Sequence, residues 1–146
     1  LEIIKGELKP LPGVHEFIEQ CRDMGKRIAI ASSADRRKVL GNLAEINLPP
    51  EQFGVVIVGE DVEHKKPAPD IFLLAAERIG CKPGDCLVVE DAVSGVAAAK
   101  AAGARCLALT TSFTREQLKA ADFFAPNLSA ASPEALNWSF PNRKSK

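Results

Sequence analysis

The sequence predicts an α/β fold: a Rossmann-like, three-layer domain with a parallel sheet between two layers of helices. Three observations carry this. Short apolar runs alternate with amphipathic stretches along most of the 146 residues, as in consecutive βαβ units. The runs "RIAIAS", "VVIVG", "CLVVE" and "RCLALT" have the length and apolar content of buried strands. Glycine and proline stand where the intervening helices must stop or start.

Taken in order, "LEIIKGELKP" is an entry segment, a short strand or helix end. "PLPGVHEFIEQCRDMG" follows as an amphipathic helix, with Val14, Phe17, Ile18 and Cys21 on one face and Gly25 as its stop. "RIAIAS" is a strand ending at Ser32. A second helix is predicted from about Ala34 to Ile46, with Val39, Leu40 and Leu43 inward and Pro49-Pro50 beyond it. The strand "VVIVG" and the polar loop "EDVEHKK" come next. "PAPDIFLLAAERIG" opens a helix with Pro69 in its first turn and Gly80 past its end. The strand "CLVVE" leads to the alanine-rich helix "SGVAAAKAAG", which can lie close to a sheet. "RCLALT" is the next strand. Beyond Thr111, "TREQLKAAD" is predicted helical, "FFAPNL" a short edge strand and "PNRKSK" a mobile tail.

The totals exclude several functions. Lys plus Arg and Asp plus Glu number 19 each, so there is neither a basic footprint for nucleic acid nor an acidic tail. The apolar runs are strand-sized, too short to span a membrane, and no secretory signal is recognisable. Cys21, Cys81, Cys86 and Cys106 form no CxxC pair and there are two histidines, which argues against zinc. The cysteines read as small hydrophobes of a reducing compartment, and the expected location is cytoplasmic. The chain starts at Leu1 and its one methionine is Met24, the pattern of a processed chain, an excised domain or part of a longer protein.

Open parallel sheets bind ligands outside the carboxyl ends of their strands. Those ends carry Ser32-Ser33, Gly59-Glu60-Asp61, Glu90-Asp91 and Thr110-Thr111, with Lys66 shortly after the second. Phosphate chemistry needs cations and donors aimed at phosphoryl oxygens. Lys66 supplies a charge, Ser32 a hydroxyl, and the N–H groups opening the next helix favour an anion. Glu90 and Asp91 suit Mg²⁺, which prefers carboxylate oxygens. Each also has a plainer reading: Ser32 or Ser33 as a helix N-cap, Lys66 as a solvated loop lysine, the acid pair as the cap of the following helix.

"IAIASSADR", "KKPAPDIF" and "LVVEDAVSGVAAAKAAG", in this order and spacing, resemble motifs II, III and IV of the haloacid dehalogenase (HAD) superfamily, in its β-phosphoglucomutase-like phosphatase branch. The similarity runs from about Leu11 to Asp122. It implies Mg²⁺-dependent phosphoryl transfer to or from a small phosphorylated metabolite such as a sugar phosphate. Ser32 matches the phosphate-binding hydroxyl and Lys66 the lysine that steadies the nucleophile and phosphate, which makes these two the implied catalytic residues. Asp91 matches the metal ligand, with Glu90 beside it as a second ligand or a supporting group. Ser33 and Arg36 are candidate substrate contacts. His64 and Lys65 stand where relatives often carry a small residue, and no role is assigned to them.

One part of the pattern is missing. The family's first strand ends in DxDGT or DxDGV, and no DxD occurs in these 146 residues. The resemblance therefore implies a HAD core whose first, central strand is absent. Residues 1–12 are read as an entry segment following a missing cap, 13–137 as a partial core domain and 138–146 as a polar tail. Without a nucleophile, covalent catalysis has no first step. Two unpaired strands at the sheet's centre are also unfavourable. Three outcomes are open: an N-terminal segment or another chain fills the place, the flanking strands pair directly, or "LEIIKG" fills it. The first is the favoured expectation, and an exposed gap would promote self-association.

The leading functional expectation is thus the core of a phosphatase or phosphomutase, inactive by itself; whether this polypeptide is an enzyme stays open. The alternative is a non-catalytic HAD-like binding or scaffolding domain. A metal-independent dehalogenase is disfavoured by the Glu90-Asp91 pair.

Overall fold

A computed structural model describes residues 2–5 (backbone only), 13–131 and 135. The six strands are β1 (Glu2–Lys5), β2 (Ile28–Ala31), β3 (Val55–Ile57), β4 (Leu87–Glu90), β5 (Arg105–Leu109) and β6 (Phe123–Ala125). They form one sheet in the order β3-β2-β1-β4-β5-β6, and every pairing is parallel. The helices are α1 (Val14–Asp23), α2 (Arg36–Glu45), α3 (Asp70–Ile79) and α4 (Val93–Ala101). The expected three-layer α/β architecture is present.

Alternation along the strands divides the core in two. Ile28 and Ile30 of β2 and Leu87 and Val89 of β4 pack with Val14, Phe17, Ile18 and Cys21 of α1 and Val39 and Leu43 of α2. Ala29 and Ala31, Val88, Cys106 and Ala108 face α3 and α4, meeting Ile71, Phe72, Ala75, Ala98 and Ala99. Burial on both faces is what makes these strands apolar throughout. Small residues on the second face let the alanine-rich α4 lie against β4 and β5, as its composition predicted.

The centre of the sheet is not vacant. β1 pairs with β2 through Glu2↔Ile28 to Lys5↔Ala31, and with β4 through Glu2↔Leu87 to Ile4↔Val89. Of the three outcomes for the central place, the structure shows the entry segment filling it, through Glu2–Lys5. An interior slot offers hydrogen bonds on both sides, so even a four-residue strand with two apolar residues gains two ladders there. The rest of the entry segment and the tail 138–146 lie outside the described residues.

Two local expectations are corrected. Leu40, expected inward, is 37% exposed, because the buried stripe of α2 runs through Val39 and Leu43 and Leu40 falls off it. "TREQLKAAD" forms turns rather than a helix. Leu118 is its one deeply buried anchor, too little apolar face to hold a helix against the sheet. "FFAPNL" supplies the expected edge strand, as β6. Cys21, Cys86 and Cys106 are buried and Cys81 is half-buried. Among the described residues, no helix is long and apolar enough to cross a membrane.

Candidate functional site

The strand order reverses at β1: the chain runs outward through β2 and β3, then restarts on the other side at β4. Ligands in such sheets bind at this switch point, outside the carboxyl ends. Ser32 follows β2 there, and Glu90 and Asp91 close β4. The loop between β3 and α3 brings Lys66 to the same place. Its Nζ lies 2.7 Å from Glu90 Oε2, with the two side chains 5% and 0% exposed. The Lys66 ammonium also stands 4.9 Å from the centroid of the Phe72 ring in α3, an additional cation–π contact. A buried ion pair is costly to desolvate and persists only when well partnered. Here the partners are supplied: Glu90 Oε1 accepts from the N–H groups of Asp91 at 3.1 Å and Ala92 at 3.3 Å.

Glu90 thus receives the two N–H groups just ahead of α4, whose own N-cap residue, Ala92, carries no side-chain cap. It simultaneously holds Lys66. Asp91 is half-buried at the rim. Gly95, one turn into α4, explains how a carboxylate fits beneath a helix. A Cβ on Gly95 would overlap the Glu90 carboxylate carbon and both its oxygens. The glycine of "VEDAVSG" is therefore the space in which Glu90 sits.

Ser32 is fully buried, and its Oγ accepts from Ala34 N–H at 3.1 Å. It is not the cap of α2, nor is Ser33. Asp35 is that cap, accepting from Lys38 N–H at 2.8 Å. The N–H groups opening α2 are also less open to an anion than expected, since Arg36 N–H donates to Glu60 Oε1 at 2.9 Å. The Arg36 guanidinium lies 3.7 Å from Asp61, tied to the turn after β3 and about half exposed. Ser33 is half-buried beside Gly59. Thr110 N–H donates to the Ala125 carbonyl at 2.9 Å, fastening β6.

Sequence reasoning passed over three residues. Lys65 Nζ donates to the Gly59 carbonyl at 2.8 Å. His64 Nδ1 lies 3.0 Å from Asp70 Oδ2, joining the loop to the start of α3. Phe72 lies under Lys66. Adjacent lysines before a proline were the one available signal, and nothing local says that they point to different partners. At the central strand's end the register sets Lys5 level with Ala31.

The model of the haloacid dehalogenase-like hydrolases matches residues 1–103. The chain belongs to the haloacid dehalogenase-like hydrolase family. It is 39% identical over 137 residues to the protein CbbY of Rhodobacter capsulatus, covering 92% of this chain and 60% of that one. It is 40% identical over 96 residues to a phosphorylated carbohydrates phosphatase of Thermotoga maritima, covering 66% of this chain and 44% of the relative. A crystal structure of a CbbY variant from Rhodobacter sphaeroides in complex with xylulose-1,5-bisphosphate superposes with a TM-score of 0.71 at 30% identity. That match covers 82% of this chain and 54% of the other. The chain therefore spans 60% or less of the length of each of these relatives. The HAD fold is common to all of them. Phosphatases of the HAD family generally use Mg²⁺.

Proposed function

We propose that this HAD chain is the phosphate-holding core of a Mg²⁺-dependent phosphatase or phosphomutase for a small, sugar phosphate-like metabolite. The observation that carries the reading is the buried Lys66–Glu90 pair at the carboxyl ends, with Ser32 and Asp91 on the same rim. Lys66 brings positive charge on a buried side chain, where a charge acts more strongly than in water. Glu90 keeps that charge in place rather than free to fold back into solvent. Ser32 brings a hydroxyl already oriented by Ala34.

The residues present fit a Mg²⁺ ion held in part by protein. Mg²⁺ takes one or two carboxylates and completes its shell with water and substrate oxygens. Asp91 is the carboxylate this chain would offer. Glu90 acts behind it, since its oxygens already serve Lys66 and two N–H groups. Among the described residues no three His, Cys, Asp or Glu side chains gather as a closed metal cage. When bound, the ion would neutralise phosphoryl charge. The sequence holds no DxD nucleophile, so this polypeptide alone is expected to bind substrate without turning it over.

A second reading, a non-catalytic HAD-like binding domain, is favoured by Lys5 at the end of the central strand. One set of measurements separates the two. Phosphate binding is followed by ³¹P NMR in Mg²⁺ buffer for the wild type, Ser32→Ala and Lys66→Met. Either variant should weaken binding about tenfold, the loss of one hydrogen bond to a charged group. No p-nitrophenyl phosphate hydrolysis is expected until a peptide bearing an apolar strand ending in DxD displaces β1 from the centre of the sheet. Turnover with that peptide supports the enzyme core, and persistent binding without turnover supports the binding domain. A wild type that binds no phosphate would overturn both.

A further inference from the structure

Two adjacent lysines leave the loop after β3 in different directions. Lys66 reaches Glu90 at the end of β4, while Lys65 reaches the carbonyl of Gly59, just past β3. In the sheet, β3 and β4 are separated by β2 and β1. The dipeptide Lys65-Lys66 therefore links the turn after β3 to the end of β4.

The β3 anchor is built with care. Gly59 N–H donates to the Ala34 carbonyl at 2.8 Å. A Cβ on Gly59 would collide with the Ser33 carbonyl and crowd Lys65 Nζ at 2.9 Å. Gly59 thus joins the Ser32–Ala34 turn on one side and Lys65 on the other. Glu60, accepting from Arg36 N–H, adds a second fastening between the same loops. Lys65 itself is exposed, so its bond to Gly59 is not a by-product of burial.

We infer that Lys65 is a positioning residue: by holding the Gly59 carbonyl it fixes the loop that delivers Lys66 to Glu90 and couples that loop to the Ser32 turn. The inference rests on the reading of this rim as a phosphate site, but its test has an arm that does not. Limited acetylation read by peptide mass spectrometry reports how well Lys66 is shielded, independently of any ligand. In Lys65→Met, Lys66 labelling should rise about five- to tenfold and phosphate binding weaken by a similar factor, as expected for one lost charged hydrogen bond. Lys65→Arg should restore both, since its guanidinium can still donate to Gly59. The thermal midpoint should fall by no more than a few degrees, the scale of one lost hydrogen bond. Lys66 labelling unchanged in both Lys65→Met and Lys65→Gln would overturn the inference. So would labelling that rises equally in Lys65→Arg. Failure of the wild type to bind phosphate would instead remove the phosphate reading, leaving the labelling result to decide the role of Lys65.

Discussion

Gly95 and Glu90 share one volume: the carboxylate occupies the place where any side chain on residue 95 would begin. The glycine is therefore part of how a charged group is accommodated under α4, and the Lys66–Glu90 pair depends on it.

Gly95→Ala should consequently destabilise the fold by about 3 kcal/mol, from overpacking plus displacement of a buried ionic partner. Urea unfolding measures this. Ala gains in helix propensity over Gly by about 1 kcal/mol, so a net stabilisation would show that Glu90 is not held there.

The ion pair itself predicts non-additivity. Lys66→Met leaves Glu90 buried without its cation, and Glu90→Gln leaves Lys66 without its anion; each should cost about 3–5 kcal/mol. The double variant should cost clearly less than the sum of the two. Additive losses in a double-mutant cycle would mean that the pair contributes no coupling.

Cys106 makes a pH prediction. Burial pushes its thiol well above the usual range, and the Glu90 and Asp122 carboxylates push it further, opposed by Lys100 and Lys66. A raised folded-state value means that the fold favours the neutral thiol. Its contribution is whole below the unfolded thiol's value, roughly 8.5, and is lost as pH rises beyond it. Between pH 8.5 and 10 the wild type should lose stability faster than Cys106→Ala, by about 1 kcal/mol per pH unit. Parallel urea midpoints for the two proteins would contradict this. In the folded state Cys81, half-buried, should react with thiol reagents well before Cys106.

The edge strand offers a local test. Asp122 Oδ2 accepts from Lys100 Nζ at 2.7 Å and from Cys106 N–H at 2.8 Å, fastening the start of β6 to β5 and α4. Asp122→Ala should speed amide hydrogen exchange in Phe123–Ala125 with about 1–2 kcal/mol of lost stability. The Lys100→Met change should do less, because that pair is about a third exposed and partly screened by water. Equal effects would place the weight on the ion pair rather than on the N–H bond.

The sequence by itself determined most element types, though not the turns of "TREQLKAAD", and which polar residues follow each strand. Both are local properties: apolar runs of strand length, glycine and proline at helix ends, and polar residues that directly follow a strand and so must stand at its carboxyl end. Ser32, Glu90 and Asp91 were legible for that reason. Tertiary structure alone decided which partner each group takes. It put Glu2–Lys5 between β2 and β4, gave the cap of α2 to Asp35, turned Leu40 outward and sent neighbouring lysines to opposite anchors. Those outcomes hang on contacts between segments far apart in the chain, where the competing choices have similar local energies and packing selects among them.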